Sequence, residues 1–307
     1  MKPNPAFFAL LVLMMVCGVA VRMGNLDPDV SLDSARELWS DVLRDVDDFG
    51  LHATRVSAYK EMELGEQMAS QLATGMPEDS NAAQYVTAVG SQLLPNVNRK
   101  SIRYHFHVIE SPEINAFALP GGQIYVLRGL LDFLQSEAEL AAVLGHEISH
   151  VDLRHCIEQY QYQLALKNVG MGEVGSIAGF AHTLVALGYK QDQELEADAA
   201  GERLTIEAGY DPDAATAVFK RMQIKFAESK AVPATTPAGE LGQAVGDAIG
   251  SYFRTHPPSE ARVRQLSAMT AKNRSELAGR IYYRGVRNYR MRIARDTQNF
   301  AEEQHVY

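Results

Sequence analysis

Cysteine is almost missing from this 307-residue sequence, which holds only Cys17 and Cys156. If the leader carrying Cys17 is removed, no intramolecular disulfide can form, so the fold must rest on its core. The 46% of residues that are apolar are ample for one. An excess of positive charge is missing too. Lysine and arginine number 29 against 38 aspartates and glutamates, a net charge of −9, which argues against whole-chain attraction to nucleic acid and for peptides or proteins as partners. No uncharged apolar run reaches the roughly 20 residues of a comfortable membrane span. A nucleophile motif of the serine-hydrolase kind is absent as well.

The longest apolar run near the N-terminus, residues 6–21 (AFFALLVLMMVCGVAV), follows Lys2 and ends at Arg22. Its length suits export. A secretory signal peptide with a cleavage region at Gly18-Val19-Ala20 is the first reading and an uncleaved membrane anchor the second. A lipoprotein processed at Cys17 comes third, because Val16 is bulkier than the residue such processing prefers. A second uncharged run, residues 174–189, is too short and glycine-rich for a span and reads as a packed helix or a cover over a cleft.

What is present is His146-Glu147-Ile148-Ser149-His150, set in residues 140–151 (LAAVLGHEISHV). On an α-helix the two histidines stack about 6 Å apart along the axis, so their imidazoles can close on one metal ion. Leu140, Leu144, Ile148 and Val151 form a separate face, which lets the helix bury its apolar side and present the histidines to a cleft. Glu147 lies about 100° round from His146, outside the ligand set but within reach of water activated by the metal. Ser136 is placed to cap the helix, with Glu139 reaching back to the Ser136 amide as a capping box. The helix is expected to continue through Cys156, a buried small apolar residue, towards Lys167. His155 then falls off the ligand face as a solvated or capping histidine.

Around this centre the periodicity predicts helices over residues 31–72, 81–94, 192–209 and 210–227, and a further one from about Ser259. Glu61 and Glu63 read as solvated helix residues. Ile102–Ile109 alternates as a strand, with His105 and His107 on its polar face. A second strand is expected over Gln123–Leu127, entered through Asn115–Gly122, with Gly121-Gly122 marking a tight approach. Residues 229–239 read as a loop and residues 241–252 as a weak helix. Between Ala271 and Arg295 eight basic residues face one acid. If helical, this tail carries an apolar stripe of Tyr282, Val286, Tyr289 and Ile293, and it is expected to dock on the acidic body. The leader and the basic tail are the two segments that could touch a membrane surface.

A catalytic zinc with two histidines needs a third protein ligand. Glu194, 44 residues beyond His150, is the choice because Asp198 lies one turn along on its face, placed to accept the ring N–H of a ligating histidine. Glu196 points away from that pair. Glu147 would act as general base on the attacking water and carry its proton to the leaving amine. The edge of Gln123–Leu127, with Gly122, Gln123, Ile124 and Tyr125 as substrate-binding residues, would pair with an extended peptide. His256, on the stiff Thr255-His256-Pro257-Pro258 segment, is a candidate for oxyanion stabilisation or for a resting fourth ligand. A cap on the following helix is its plainer role.

Asn115-Ala116-Phe117 with Pro120-Gly121-Gly122, the His146–His150 motif, Glu194-x-x-Ala197-Asp198 and His256-Pro257-Pro258 occur in one order over residues 58–266. In this the chain resembles the HtpX and CAAX-prenyl-protease family of gluzincin metallopeptidases, and within it the soluble periplasmic BepA- and LoiP-like branch. The resemblance implies an α+β, mostly helical zincin-like domain whose small sheet flanks the motif helix with an edge strand. It also implies one Zn2+ per chain on His146, His150 and Glu194, with Glu147 as base. The expected organisation is a leader at residues 1–21, a spacer at 22–30, the peptidase domain at 31–266 and a basic helical tail at 267–307. The absence of the family's multiple spans makes prenylated substrates a poor expectation, and an end at Tyr307 leaves no room for an appended helical-repeat domain. Two functions follow. One is an exported endopeptidase, periplasmic or anchored facing the periplasm, acting on unfolded or misassembled proteins. The other is a chaperone-like client-binding protein with a latent metal site.

Overall fold

A computed structural model of the protein describes residues 55–73, 78–168, 188–231, 250 and 252–307. The leader, the spacer, the first part of the helix expected from residue 31, the run at 174–187 and most of the loop and weak helix between 232 and 251 lie outside the described residues. Among the described residues, Ser57–Ile157 and Gly188–Tyr307 belong to one compact unit, which carries everything below; residues 158–168 belong to a second.

The described helices are α1 (Ala58–Ala73), α2 (Ser80–Ser91), α3 (Arg128–Phe133), α4 (Glu137–Asp152), α5 (His155–Asn168), α6 (Gln191–Glu207), α7 (Ala214–Ala231), α8 (Glu260–Glu276) and α9 (Val286–Met291). The strands are β1 (His105–Ile109), β2 (Ala116–Leu119), β3 (Gln123–Leu127), β4 (Ile281–Tyr283) and β5 (Gln304–Val306). None of these helices is long and apolar enough to cross a membrane.

Local chemistry starts the elements. Asp79 caps α2 by accepting from the Asn81 and Ala82 amides. Ser136 accepts from the Glu139 amide at 3.2 Å and starts α4. The return half of the expected capping box does not form: the Glu139 carboxylate instead accepts from the Gln135 amide and pairs with Arg221 at 2.5 Å. The chain does not continue α4 into α5. Arg154, with φ 73°, breaks the helix two residues after Asp152.

Helix α4 is buried along its whole length, polar residues included, so it is the axis of the core and not an amphipathic wall. Leu140, Leu144 and Ile148 are fully buried, each stabilising the fold by about 1.5–3 kcal/mol. Its closest neighbour is α6. A Cβ on Gly145 would lie 2.7 Å from the Gly201 carbonyl oxygen, and one on Gly201 would lie 2.7 Å from the His146 nitrogen. The two backbones therefore touch at one point, directly beside the first histidine of the motif.

The sheet has the order β1-β3-β2, with β1 parallel and β2 antiparallel to β3. This corrects the expected edge. Residues 116–119 form a strand of their own, folded back on β3 through Pro120–Gly122 with Gly121 at φ 76°, while β1 covers the opposite side. Gln123, Ile124 and Tyr125 therefore sit in the central strand, and the edge beside α4 is β2.

Two other expectations are corrected. Glu61 is fully buried, paired with Arg99 at 2.5 Å and accepting from the Gly121 amide. The tail is not a continuous helix, because Gly279 and Gly285 take φ of 80° and 71°, which a helix does not allow. Residues 281–306 instead form the β4–β5 ribbon and the short α9. This segment docks on the start of α4: the Glu137 and Ala138 amides donate to Gly285 and Arg284 carbonyls, and the buried Glu137 carboxylate accepts from Tyr85, Tyr210 and the Arg295 amide. Three of its arginines have partners in the body: Arg284 on Asp211, Arg292 on the Leu131 carbonyl and Arg295 on the Ala208 and Gly209 carbonyls.

Glu202 on α6 supplies a pH test of the packing. Burial, helped by the Asp198 charge, pushes its carboxyl up to about 7, despite a bond from Asn273. The fold then holds this proton more tightly than the unfolded chain does. Stability is fully present below the ordinary carboxylate pKa and is lost as pH rises from about 4.5 to 7. Glu202→Gln is expected to match wild type in thermal midpoint near pH 4 and to exceed it by about 2–4 °C at pH 8. Equal midpoints at pH 8 would mean that the carboxyl titrates normally.

Candidate metal centre

Four side chains from three stretches meet beside the α4–α6 contact. His146 and His150 come from α4, Glu194 from the first turn of α6, and His256 from just after the helical turn at residues 252–255. One ligand atom from each lies within 4.8 Å of all the others, and all four residues are buried. The His146 and His150 Nε2 atoms are 3.1 Å apart. Glu194 Oε2 is 3.5 Å from the first and Glu194 Oε1 3.5 Å from the second. His256 Nδ1 is 3.2 Å from His146 Nε2 and 3.0 Å from Glu194 Oε1.

The surroundings say which nitrogens turn inward. Asp198 Oδ1 lies 3.0 Å from His146 Nδ1, so that nitrogen carries a proton and Nε2 is the atom turned inward, open to a cation once its own proton is displaced. Two inward nitrogens 3.1 Å apart, beside a carboxylate, call for positive charge among them. The electrostatics express the same demand. Burial alone would lower the His146 pKa, but the bonds to Asp198 and Glu194 outweigh it and raise it to about 10. Burial, reinforced by the charges of His146 and His256, holds His150 well below its usual value. For Glu194 burial works upwards, but His256 and bonds from the three histidines hold it well below the usual carboxylate range. A divalent cation fits this donor set of imidazoles and carboxylate.

Glu147 points into the same space. It is fully buried, and neither carboxylate oxygen has a hydrogen-bond donor among the described residues, although His256 Nε2 lies 3.3 Å from Oε1. Burial raises its pKa, against the pull of His256 and His146. A buried carboxylate without a donor is costly, and a raised pKa beside a ligand cluster suits a group that moves protons.

The sequence does not mark two residues of this site, and a third, His155, sits elsewhere than expected. Arg262 on α8 is 1% exposed and grips both carboxylates of α6, with Nη1 2.6 Å from Glu194 and Nε and Nη2 at 2.8 and 2.7 Å from Asp198. Two acids on one buried helix face call for a counter-charge, and that was the available signal. Tyr189 stacks on His150 with ring centroids 3.6 Å apart. His155 is 2% exposed and in bond distance of His150, so it is not a solvated or capping residue.

The substrate-edge expectation for Gly122, Gln123, Ile124 and Tyr125 fails for the same reason as the strand order. In β2 the Asn115 carbonyl accepts from Leu127 across the sheet, so the alternate carbonyls of Ala116 and Ala118 face outward. His256 Nε2 is 3.4 Å from the Ala116 oxygen and the Tyr189 hydroxyl donates to the Ala118 oxygen at 3.3 Å. Among the described residues His105 and His107 join no ligand group; His107 is held by Glu78 and Gln123.

Comparison with known proteins agrees with this architecture. The chain is 29% identical to mitochondrial metalloendopeptidase OMA1 of Schizosaccharomyces pombe over 218 residues, 68% of this chain and 58% of that one. It is 30% identical to the β-barrel assembly-enhancing protease of Escherichia coli K12 over 57% of this chain and 40% of that one. It is 29% identical to metalloprotease LoiP of the same organism over 70% and 84%. The chain thus spans about three fifths of the length of the first of these relatives, two fifths of the second and more than four fifths of the third. Residues 80–270, which contain α2 to α7, most of α8 and every side chain of the centre, match peptidase family M48, and the chain belongs to that family.

Proposed function

We propose that the chain is a zinc-dependent endopeptidase that hydrolyses peptide bonds in unfolded or misassembled envelope proteins. The observation that carries this reading is the joint placement of four buried ligand atoms and the donorless Glu147 carboxylate in one space. One zinc per chain would be held by His146, His150 and Glu194, with Asp198 orienting His146. Bound there, zinc supplies a Lewis acid that polarises a peptide carbonyl and acidifies water. The chain's own residues do the rest. Glu147 takes the proton of the attacking water and returns it to the departing amine. An extended peptide would pair along β2, the edge nearest the histidines, by displacing His256 from the Ala116 carbonyl and the Tyr189 hydroxyl from the Ala118 carbonyl.

His256 occupies both places that a substrate needs, the ligand space and the Ala116 carbonyl. This supports a resting role as fourth ligand and gate over one in oxyanion binding. It is also the observation that favours the latent, client-holding reading, since the site is closed by the chain itself. The leader supports an exported location, and a relative named for β-barrel assembly supports an envelope setting.

The test is cleavage of casein by the purified zinc-loaded chain, with and without a chelator. Chelator-sensitive cleavage is expected, and His256→Ala is expected to raise turnover several-fold by freeing the site. No cleavage by either protein at full zinc loading would leave the client-binding reading. Activity and zinc affinity of His256→Ala both within about twofold of wild type would reduce His256 to a helix-capping role.

A further inference from the structure

Once one ring nitrogen of a histidine faces a metal, the other carries the proton, and whatever accepts that proton fixes the ring. For His146 the acceptor is Asp198. His150 has Glu194 at its Nε2, but among the described residues no carboxylate meets its Nδ1. Its Nδ1 lies 3.0 Å from His155 Nδ1, and His155 Nε2 lies 3.2 Å from Glu196 Oε2.

A continuous helix would not give this contact, because a residue five positions on is rotated about 140° from the first. The contact exists because α4 stops at Asp152 and Arg154 adopts the left-handed conformation, φ 73°, before α5 begins. That conformation costs a residue with a side chain about 1–2 kcal/mol. Its local result is that the His155 ring is swung inward onto His150, with its side chain only 3% exposed while Glu196 remains 64% exposed.

We infer that His155 is a positioning residue for His150, with Glu196 fixing the tautomer of His155 in turn. The protons have one consistent arrangement. With His150 Nε2 turned to the metal, its proton is on Nδ1 and is donated to a bare His155 Nδ1. His155 keeps its own proton on Nε2 and donates it to the Glu196 carboxylate. A chain of bonds therefore runs from a surface acid to the candidate ligand, doing for His150 what Asp198 does for His146. The inference rests on the metal reading above.

The experiment measures zinc affinity by competition with a chromophoric chelator for wild type, His155→Phe, His155→Asn and Glu196→Ala, with thermal unfolding of the zinc-free proteins as the check on folding. His155→Phe keeps the ring but removes the acceptor, and is expected to weaken zinc about 10–100-fold. His155→Asn places an oxygen near the Nδ1 position and is expected to recover most of that loss. Glu196→Ala, at an exposed position, is expected to weaken zinc about two- to fivefold with an unchanged midpoint. Equal losses in the Phe and Asn variants, or His155→Phe within twofold of wild type, would overturn the assignment. If His155→Phe does not fold, nitrogen-15 spectra of the zinc-loaded wild type decide: a proton on His155 Nε2 supports the inference and one on Nδ1 overturns it. A wild type that binds no zinc overturns the metal reading and this inference with it, whereas normal zinc binding with unaffected variants overturns only the inference.

Discussion

Glu147→Gln is expected to fold, to keep its zinc and to lose casein cleavage by about 10²–10⁴-fold, the usual contribution of a positioned general base. The amide has the shape of the carboxylate but cannot accept a proton from water. Since His146, His150 and Glu194 are untouched, metal content should stay at one per chain, which separates this variant from a ligand loss. Stability should move the other way. Glu147 is buried with no donor on either oxygen among the described residues, and a neutral side chain there removes the cost of burying a charge. The zinc-free Glu147→Gln protein is therefore expected to unfold at a higher temperature than wild type. Cleavage within tenfold of wild type, per bound zinc, would remove Glu147 from the mechanism.

Arg262→Leu is expected to cost about 3–5 kcal/mol, because it strands Asp198 and Glu194 in the interior without their cation. The measure is urea unfolding of the zinc-free chain. Arg262→Lys keeps the charge but not the planar fork that reaches both acids, so about half of the loss should remain. Zinc should suffer as well, since Glu194 loses the group that aims it and Asp198 can no longer hold His146 in one tautomer. A loss below about 1 kcal/mol for the leucine variant would mean that the acids find another counter-charge.

The site could be read largely from sequence because its parts follow helix arithmetic. Four-residue steps on one helix bring His146 over His150 and, on another, Glu194 over Asp198, and neither depends on what the rest of the chain does. What escaped is what arithmetic cannot carry. The break at Arg154 is a backbone conformation that no residue type announces, and with it went the place of His155. The strand at Ala116–Leu119 was hidden because its four residues are all buried and so show no alternation. Missing it moved the sheet edge by one strand. Glu61 reads as solvated from its residue type, whereas Arg99 supplies the charge that lets it stay inside. The tail failed through its glycines, whose positive φ ends a periodicity that Tyr282, Val286, Tyr289 and Ile293 would otherwise support.

The contact of Gly145 with Gly201 bears on how such a chain can vary. The halves of the site lie on helices joined through a long stretch of sequence, yet their register is set where two absent side chains let the backbones meet, 2.7 Å from where a Cβ would stand. A single methyl group at either glycine would push the helices apart at that crossing and take Glu194 and Asp198 away from the histidines together. One backbone contact thus sets both halves of the ligand group at once.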